Sequence, residues 1–367
     1  MGNFRVIPVA LCASAALAML AGCAGGNSAS VLSRSASGVG SQALQRQLAS
    51  AGVNNSLLPP NVTRITNRPV TTASFMDPRS LGKSLIFVSD AANDVVDIYA
   101  QAGKHQKPVG QITGLTEPQG LTTDKAGNLY VANTNSSNVL VYAPPYTGRP
   151  KLTLSDAGEY PADVAVSSSG IVAVTNLCNA PRCQLNTGNV EMYAKGATTS
   201  CATVSDSVFN FVEVTFAAFD SAGTLYIDGL NGGYQTSFGL VSGGCDAAEI
   251  TYLNYVYTVA FPGGIQIDKS GRIAFADQGR NQVETFDPPV NNTFGQPTTT
   301  TPLTGAIAPL GLAILYSGKD LYVADSGGSG SSEEYKYTEG GAAMNTIAAG
   351  GQPVGVAVTP PLTKENN

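Results

Sequence analysis

Residues Pro118–Tyr142, PQGLTTDKAGNLYVANTNSSNVLVY, form the unit that predicts the fold of this chain. Short runs of apolar and β-branched residues alternate with turn-forming residues, and Gly127 in the DKAGN segment allows a positive φ. The pattern predicts three strands within the unit and a fourth just after it: Leu121–Thr123, Leu129–Ala132, Val139–Tyr142 and Lys151–Leu154. One unit is therefore expected to form one small four-stranded sheet.

Variants of this unit recur along the chain. Each opens with Pro-x-Gly-apolar, continues with Gly-x-Leu-Tyr-Val-Ala-Asp/Asn, and closes with a strand that ends in Tyr or Phe. The openings lie at Pro118, Pro161, near Glu213, Pro262, Pro309 and Pro353. Their intervals are 43 residues, 101 residues over two units, then 47 and 44 residues. A period of this length is typical of the blades of a β-propeller.

The two ends of the repeat region are incomplete in complementary ways. The first unit starts at its second strand, LIFVSD from Leu85, whereas PVGVAVT from Pro353 is a lone first strand. Pairing these fragments would complete one blade and remove an open sheet edge. The sequence therefore predicts an all-β fold, a six-bladed β-propeller over residues 84–361 whose termini share one blade, followed by a tail at 362–367.

Composition agrees with this fold and excludes one class of partner. The chain has 367 residues, of which 43% are hydrophobic and 13% charged, with 41 Gly and 21 Pro. Many turns and a large core favour an all-β protein over a helical one. The formal net charge of −6 argues against nucleic-acid binding.

The N-terminal segment predicts export. Residues 1–22 carry one positive charge at Arg5 and then an apolar stretch, as in a signal peptide. Leu20, Ala21, Gly22 and Cys23 resemble the lipobox of bacterial lipoproteins, which implies acyl chains on Cys23 and a membrane anchor. Ala24 favours the outer membrane in a diderm cell. The alternative is an ordinary signal peptide with an incidental cysteine. Residues 23–83, rich in Ser, Ala, Gly and Asn, are predicted to be a flexible tether.

Three repeats carry a family resemblance. The motifs PQGLTTDKAGNLYVAN, PGGIQIDKSGRIAFAD and PLGLAILYSGKDLYVAD resemble those of the NHL-repeat group of six-bladed propellers, which includes bacterial surface proteins. Two units depart from the pattern. Blade three has Asp163 where glycine should stand, and blade four, around Glu213, lacks the opening proline and glycine.

The four cysteines after Cys23 favour disulfides in an exported protein. Cys178 and Cys183 lie in one loop insertion, so their pairing is the first choice among three connectivities. Cys201 and Cys245 then pair with each other. They fall in neighbouring blades where the rims diverge, so their Cα atoms are expected to approach or exceed the limit of about 7 Å for a disulfide. A four-cysteine zinc site is the alternative, although paired CxxC knuckles are absent from the sequence.

The single histidine, His105, is predicted on a turn away from the usual active-site face of propellers. Histidine-dependent lyases and zinc lyases that share the fold need a histidine at the pore. His105 is therefore expected to be exposed and inert.

A ring of Asp and Asn ends the second strands. Its members are Asp90, Asn133, Asn176, Asp277 and Asp325. We interpret them as turn caps, since Asp and Asn bond the amides of their own turns. The alternative rests on resemblance to lactonase propellers of the gluconolactonase and paraoxonase kind, which hold Ca²⁺ at the channel mouth. In that interpretation the ligands would be Glu213, Asp163, Asn176 and Gln119.

The sequence therefore predicts a lipid-anchored propeller of the cell envelope, expected to be a monomer without a cofactor. Its favoured role is a non-enzymatic binding or scaffold module for a protein, peptide or glycan. A calcium-dependent lactonase or other hydrolase is the rival, and a purely structural envelope role is a third hypothesis. Two low-complexity segments, QPTTTTP from Gln296 and GGSGSSEE from Gly327, are predicted to be solvated loops.

Overall fold

The structure, a computed structural model, describes residues 73–101, 107–179, 188–206, 210–233, 235–314, 319–327, 330–349 and 351–359. Within these ranges 27 strands form six sheets. In each sheet, neighbouring long strands are antiparallel and follow one another in the chain, except where the two termini meet. The architecture is the predicted six-bladed β-propeller.

The first three blades follow the predicted units. Blade one contains β1 (Phe75–Met76), β2 (Leu85–Asp90), β3 (Val95–Ala100), β4 (Gly110–Ile112) and β27 (Pro353–Thr359). Blade two contains β5 (Pro118–Thr123), β6 (Leu129–Asn133), β7 (Asn138–Tyr142) and β8 (Leu152–Ser155). Blade three contains β9 (Glu159–Val166), β10 (Val172–Asn179), β11 (Asn189–Tyr193) and β12 (Ala202–Ser205).

The other three blades add short parallel strands at two outer edges. Blade four contains β13 (Glu213–Phe219), β14 (Leu225–Leu230), β15 (Thr236–Val241), β16 (Thr251–Tyr255) and β20 (Thr293–Phe294). Blade five contains β17 (Pro262–Ile267), β18 (Ile273–Asp277), β19 (Gln282–Phe286), β21 (Thr299–Thr304) and β25 (Gly341–Ala342). Blade six contains β22 (Pro309–Ile314), β23 (Asp320–Asp325), β24 (Ser331–Lys336) and β26 (Asn345–Ala349).

The ring closes between the two ends of the chain, as the sequence predicts. Strand β27 pairs antiparallel with β2, so that Phe87 lies opposite Ala357 and Asp90 opposite Pro353. Backbone groups of the innermost strand of blade one are thereby paired instead of exposed. Closure holds the six innermost strands, β27, β5, β9, β13, β17 and β22, around one axis.

Glycine allows these innermost strands to approach each other closely. A Cβ atom added to Gly355 would lie 2.4 Å from the backbone oxygen of Gln119, and one added to Gly311 would lie 2.6 Å from that of Val354. Real Cβ atoms do not come this close to backbone, so larger residues at these positions would push neighbouring blades apart. The small side chains predicted for the first strands therefore have a steric cause.

Aromatic residues pack between the outer parts of the blades. Phe238 of blade four contacts Phe275 of blade five with ring centroids 4.6 Å apart. Phe294 lies 5.6 Å from Phe275 and 5.4 Å from Phe286. All four rings are buried in one apolar cluster, where tilted and edge-to-face pairs are favourable.

Two sequence predictions need correction at the outer edges. The segments predicted to be solvated loops supply strands, since Thr299–Thr304 is β21 and Ser331–Lys336 is β24. Threonine is β-branched and suits an outer strand, and the side chain of Thr301 is fully buried. In addition, the last part of the predicted tether packs on the propeller, because β1 (Phe75–Met76) pairs with β4.

Candidate functional site: the rim and the central channel

The ring of Asp and Asn residues binds the loops of its own face. Asp90 accepts from the backbone N of Gln352 at 3.0 Å, and Asp325 accepts from the backbone N of Ala308 at 2.7 Å. Asn133 and Asp277 accept from backbone N atoms of residues 116 and 260 at 2.6 and 2.8 Å. In each case the oxygen ties the end of a second strand to the loop that enters a first strand. Asp90, Asp277 and Asp325 also accept from backbone N atoms of their own turns, at residues 92, 279 and 327, which confirms the predicted capping role at these three positions. Asn133 does not cap its own turn.

Asn176 has different partners. Its amide N donates to Oδ1 of Asn189 at 2.9 Å and to Oδ1 of Asp156 at 3.4 Å. Asp156 is almost completely buried, and burial raises its pKa to about 7, with the nearby carboxylates of Glu191 and Glu159 adding to the effect. Asn176 therefore belongs to a buried polar group on the side of blade three and is not aimed at the propeller axis.

Blade four replaces the ring residue with Gly229 and places a carboxyl one position earlier. Asp228 is fully buried and accepts from Oγ1 of Thr215 at 2.5 Å and from the backbone N of Phe216 at 3.0 Å. Burial raises its pKa well above the usual range, and the nearby carboxyl of Asp163 raises it further. Sequence reasoning missed Asp228. The sequence did contain a signal for Asp228. It is an acid at the repeat position where the second strands of the other five blades carry Ala, Ser or Thr.

The propeller axis is closed on the face that carries the ring. The residues that come just before the channel lining in the six innermost strands are all buried: Gln119, Ala162, Thr215, Gly263, Leu310 and Val354. Ala162, Leu310 and Val354 belong to one apolar cluster with Tyr160 and Leu177. The axis is therefore closed on this face by buried side chains.

Below this closure lies a central channel. It has a volume of about 130 Å³. In the six innermost strands its lining begins with Gly120, Asp163, Phe216, Gly264, Gly311 and Gly355 and continues toward the carboxyl ends. Partly exposed residues near the carboxyl ends of these strands mark the opening: Thr122, Val166, Phe219, Gln266 and Ile267. The channel is therefore blind at the ring face and opens on the opposite face.

Asp163 lies at the closed end of the channel, and its side chain is 8% exposed. One carboxyl oxygen, Oδ2, accepts from the backbone N of Ala217 at 3.1 Å. The other, Oδ1, lies beside Gly120, where an added Cβ atom would come within 2.1 Å. Burial raises the pKa of Asp163 to about 7, although hydrogen bonds from backbone amides act against this rise.

The four residues of the calcium interpretation are held by separate parts of the structure. Asp163 bonds to blade four, Asn176 bonds to Asn189, Gln119 is buried on β5, and Glu213 pairs with Leu230 at the start of β13. Within the described ranges, no group of three or more His, Cys, Asp or Glu side chains is placed to hold a metal ion.

The cysteines form disulfides. Cys201 and Cys245 are joined with their Cα atoms 5.3 Å apart, which links blade three to blade four. Cys178 is also disulfide-bonded, and its predicted partner Cys183 lies outside the described residues. Because disulfide sulfur atoms are not thiolates, the four-cysteine zinc site is excluded.

Two other residues singled out in the sequence, Cys23 and His105, lie outside the described residues as well. In the part of the chain that the structure describes, no helix is long and apolar enough to span a membrane.

These features define the class of protein: a six-bladed β-propeller with a sealed, loop-rich face and a channel that opens on the other. No protein-family model matches the chain, and no curated protein matches it.

Solved structures share the fold at low identity. A protein of unknown function from Bacteroides caccae is 11% identical with a TM-score of 0.57, covering 76% of this chain and 99% of its own. A functionally unknown protein from Desulfotomaculum acetoxidans is 14% identical with a TM-score of 0.51. That match covers 82% of this chain and 94% of the Desulfotomaculum protein. Virginiamycin B lyase from Staphylococcus aureus is 14% identical with a TM-score of 0.47. This match covers 70% of this chain and 79% of the lyase.

Proposed function

We propose that this protein is a lipid-anchored, non-enzymatic binding module of the bacterial cell envelope, and that its ligand is a protein, peptide or glycan. We name the loops on the ring face, at residues 91–94, 116–117, 134–137, 256–261, 278–281 and 307–308, the rim surface. The observation that carries the proposal is that ring oxygens bond to backbone amides of these loops. Such bonds hold the loops in place as a rigid recognition surface.

The rim surface exposes residue types that are common at binding interfaces. Ile307, on the loop that enters blade six, is 45% exposed although it is large and apolar. On the loop next to blade five, the guanidinium of Arg280 lies 5.2 Å from the ring centroid of Tyr257 and bonds to Asp277. Arginine and aromatic residues with restricted motion carry much of the binding energy at protein interfaces.

Anchoring is supported by the sequence at Leu20, Ala21, Gly22 and Cys23. Acyl chains on the Cys23 thiol would hold the chain at a membrane surface, because each buried CH₂ contributes about 0.8 kcal/mol and two chains make the anchor stable. Residues 24 to about 72 would then separate the propeller from the lipid, so that the rim surface can meet ligands in the envelope.

Affinity capture from envelope extracts tests the proposal, with the wild-type protein and two matched variants as baits. Ile307→Asp changes the rim surface, and Val290→Asp changes an exposed apolar residue on the loop between β19 and β20. We expect a molecule that is retained by wild type and Val290→Asp but lost with Ile307→Asp. Equal retention by all three baits would argue against the rim surface as the binding face.

A further inference from the structure

The central channel exposes more polar than apolar surface and has one acid at its closed end. Among the described lining residues Asp163 is the only charged one, and most of the others are aliphatic or glycine. The polar lining side chains are Thr122, Thr123 and Gln266, which lie toward the open end. A ligand that enters the channel therefore meets polar groups at the opening and a carboxyl group at the closed end.

Asp163 occupies a position where four of the other five blades carry glycine. The equivalent residues are Gly120, Gly264, Gly311 and Gly355, and Phe216 in blade four. Steric fit alone would favour glycine here too, because the innermost strands lie in close contact. An acid at this position has a cost, since burying a carboxylate without a cationic partner is unfavourable. No Lys or Arg lines the described part of the channel.

We propose that the channel binds a small organic ammonium ion, a protonated aliphatic amine whose ammonium group pairs with the carboxylate of Asp163. The short alkyl body of the ligand would extend from Asp163 along the innermost strands toward the opening at Thr122 and Gln266. This site is separate from the rim surface and opens on the opposite face, so it does not rest on the function proposed above.

The dimensions limit the ligand to a few heavy atoms. The cavity volume of about 130 Å³ is close to that of engineered protein cavities of ~150 Å³ that hold benzene. A short alkyl chain with a terminal ammonium fits this volume. A polyamine or a peptide would extend through the opening.

Binding should depend on pH because only the ionised carboxyl attracts the ligand. The pKa of Asp163 is raised to about 7, and the ionisable group nearest to it is Asp228, across β13. Gly120 on β5 and Ala217 on β13 bring no charge to the site. Between pH 6 and pH 8 the ionised fraction of Asp163 rises from about one tenth to about nine tenths, so affinity for an amine that stays protonated should rise about tenfold.

Isothermal titration of the full-length protein with n-propylammonium, n-propanol and propionate tests this inference. We expect only the ammonium ion to bind, about tenfold more tightly at pH 8 than at pH 6. Asp163→Asn and Asp163→Gly should weaken binding at least tenfold, because they remove the charge-assisted hydrogen bond. Asp163→Gly restores the residue found in four other blades, so it provides a second variant if the asparagine variant folds poorly. Asp287→Asn, at an exposed carboxylate, should bind like wild type.

Three results would overturn the inference. The first is no heat of binding for n-propylammonium at millimolar concentrations. The second is equal affinity for n-propanol, which would show that the charge of the ligand contributes nothing to binding. The third is unchanged ammonium affinity in both Asp163 variants, which would place the ammonium site elsewhere on this acidic protein.

Discussion

Asp163→Asn should make the protein more stable above neutral pH and change its stability little in acid. The wild-type carboxyl has a folded-state pKa of about 7 against a model value of 3.8, because it is buried in the channel wall. A raised carboxyl pKa means that the folded state binds the proton more tightly than the unfolded state. Wild-type stability therefore falls as the pH rises from about 4 through 7. Asparagine does not titrate, so the variant lacks this loss.

The magnitude follows from the size of the shift. Three pKa units correspond to about 4 kcal/mol at 1.36 kcal/mol per unit, and roughly 2 to 3 kcal/mol of this falls between pH 5 and pH 8. Asparagine keeps an oxygen that can accept from the backbone N of Ala217, so the hydrogen bond at 3.1 Å need not be lost. Removing the charge also lowers the pKa of Asp228, which adds to stability in the same direction.

Urea denaturation of wild type and Asp163→Asn at pH 5 and pH 8 measures the effect. The quantity to compare is the change in the free energy of unfolding on mutation, which should be about 2 to 3 kcal/mol more stabilising at pH 8 than at pH 5. Comparing the two proteins at each pH cancels the titration of other groups to first order. Asp287→Asn, at an exposed carboxylate, should show less than about 0.5 kcal/mol of difference. An equal effect of Asp163→Asn at both pH values would refute the reasoning.

Phe87→Ala should lower the free energy of unfolding by about 3 to 5 kcal/mol in urea denaturation, since Phe87 is fully buried beside the closing strand; Leu81→Ala, at an exposed position, should cost less than about 1 kcal/mol. Replacing both Cys201 and Cys245 with alanine should cost about 2 to 4 kcal/mol, because the bond closes a loop with a sequence separation of 44 residues, and a melt unchanged from wild type would contradict this. Adding Ca²⁺ or a chelator should leave the thermal melt unchanged, whereas a calcium site occupied at 100 times its Kd would add about 2.7 kcal/mol. Cys23→Ala should release the protein from the membrane fraction, and unchanged fractionation would count against lipid anchoring.

The sequence by itself determined the number of blades, their boundaries and the closure of the ring. These features depend on local patterns: turn residues, the alternation within each short strand, and a period of 43 to 47 residues between successive proline openings. Closure followed because β2 and β27 are complementary fragments of one repeat. The capping role of Asp90, Asp277 and Asp325 was also predictable, since each lies at the same position of its repeat and performs a task that every blade needs.

Only the tertiary structure decided on which face of the propeller the central channel opens. Buried residues of six different strands close one end of the axis, and no single repeat shows this, because each repeat contributes only one side chain. The structure also brought together Asp163 and Asp228, which are far apart in the chain and belong to neighbouring blades. Their shared environment is a product of ring geometry, since the electrostatic cost of a buried carboxyl depends on the groups that surround it in space and not on those beside it in the sequence.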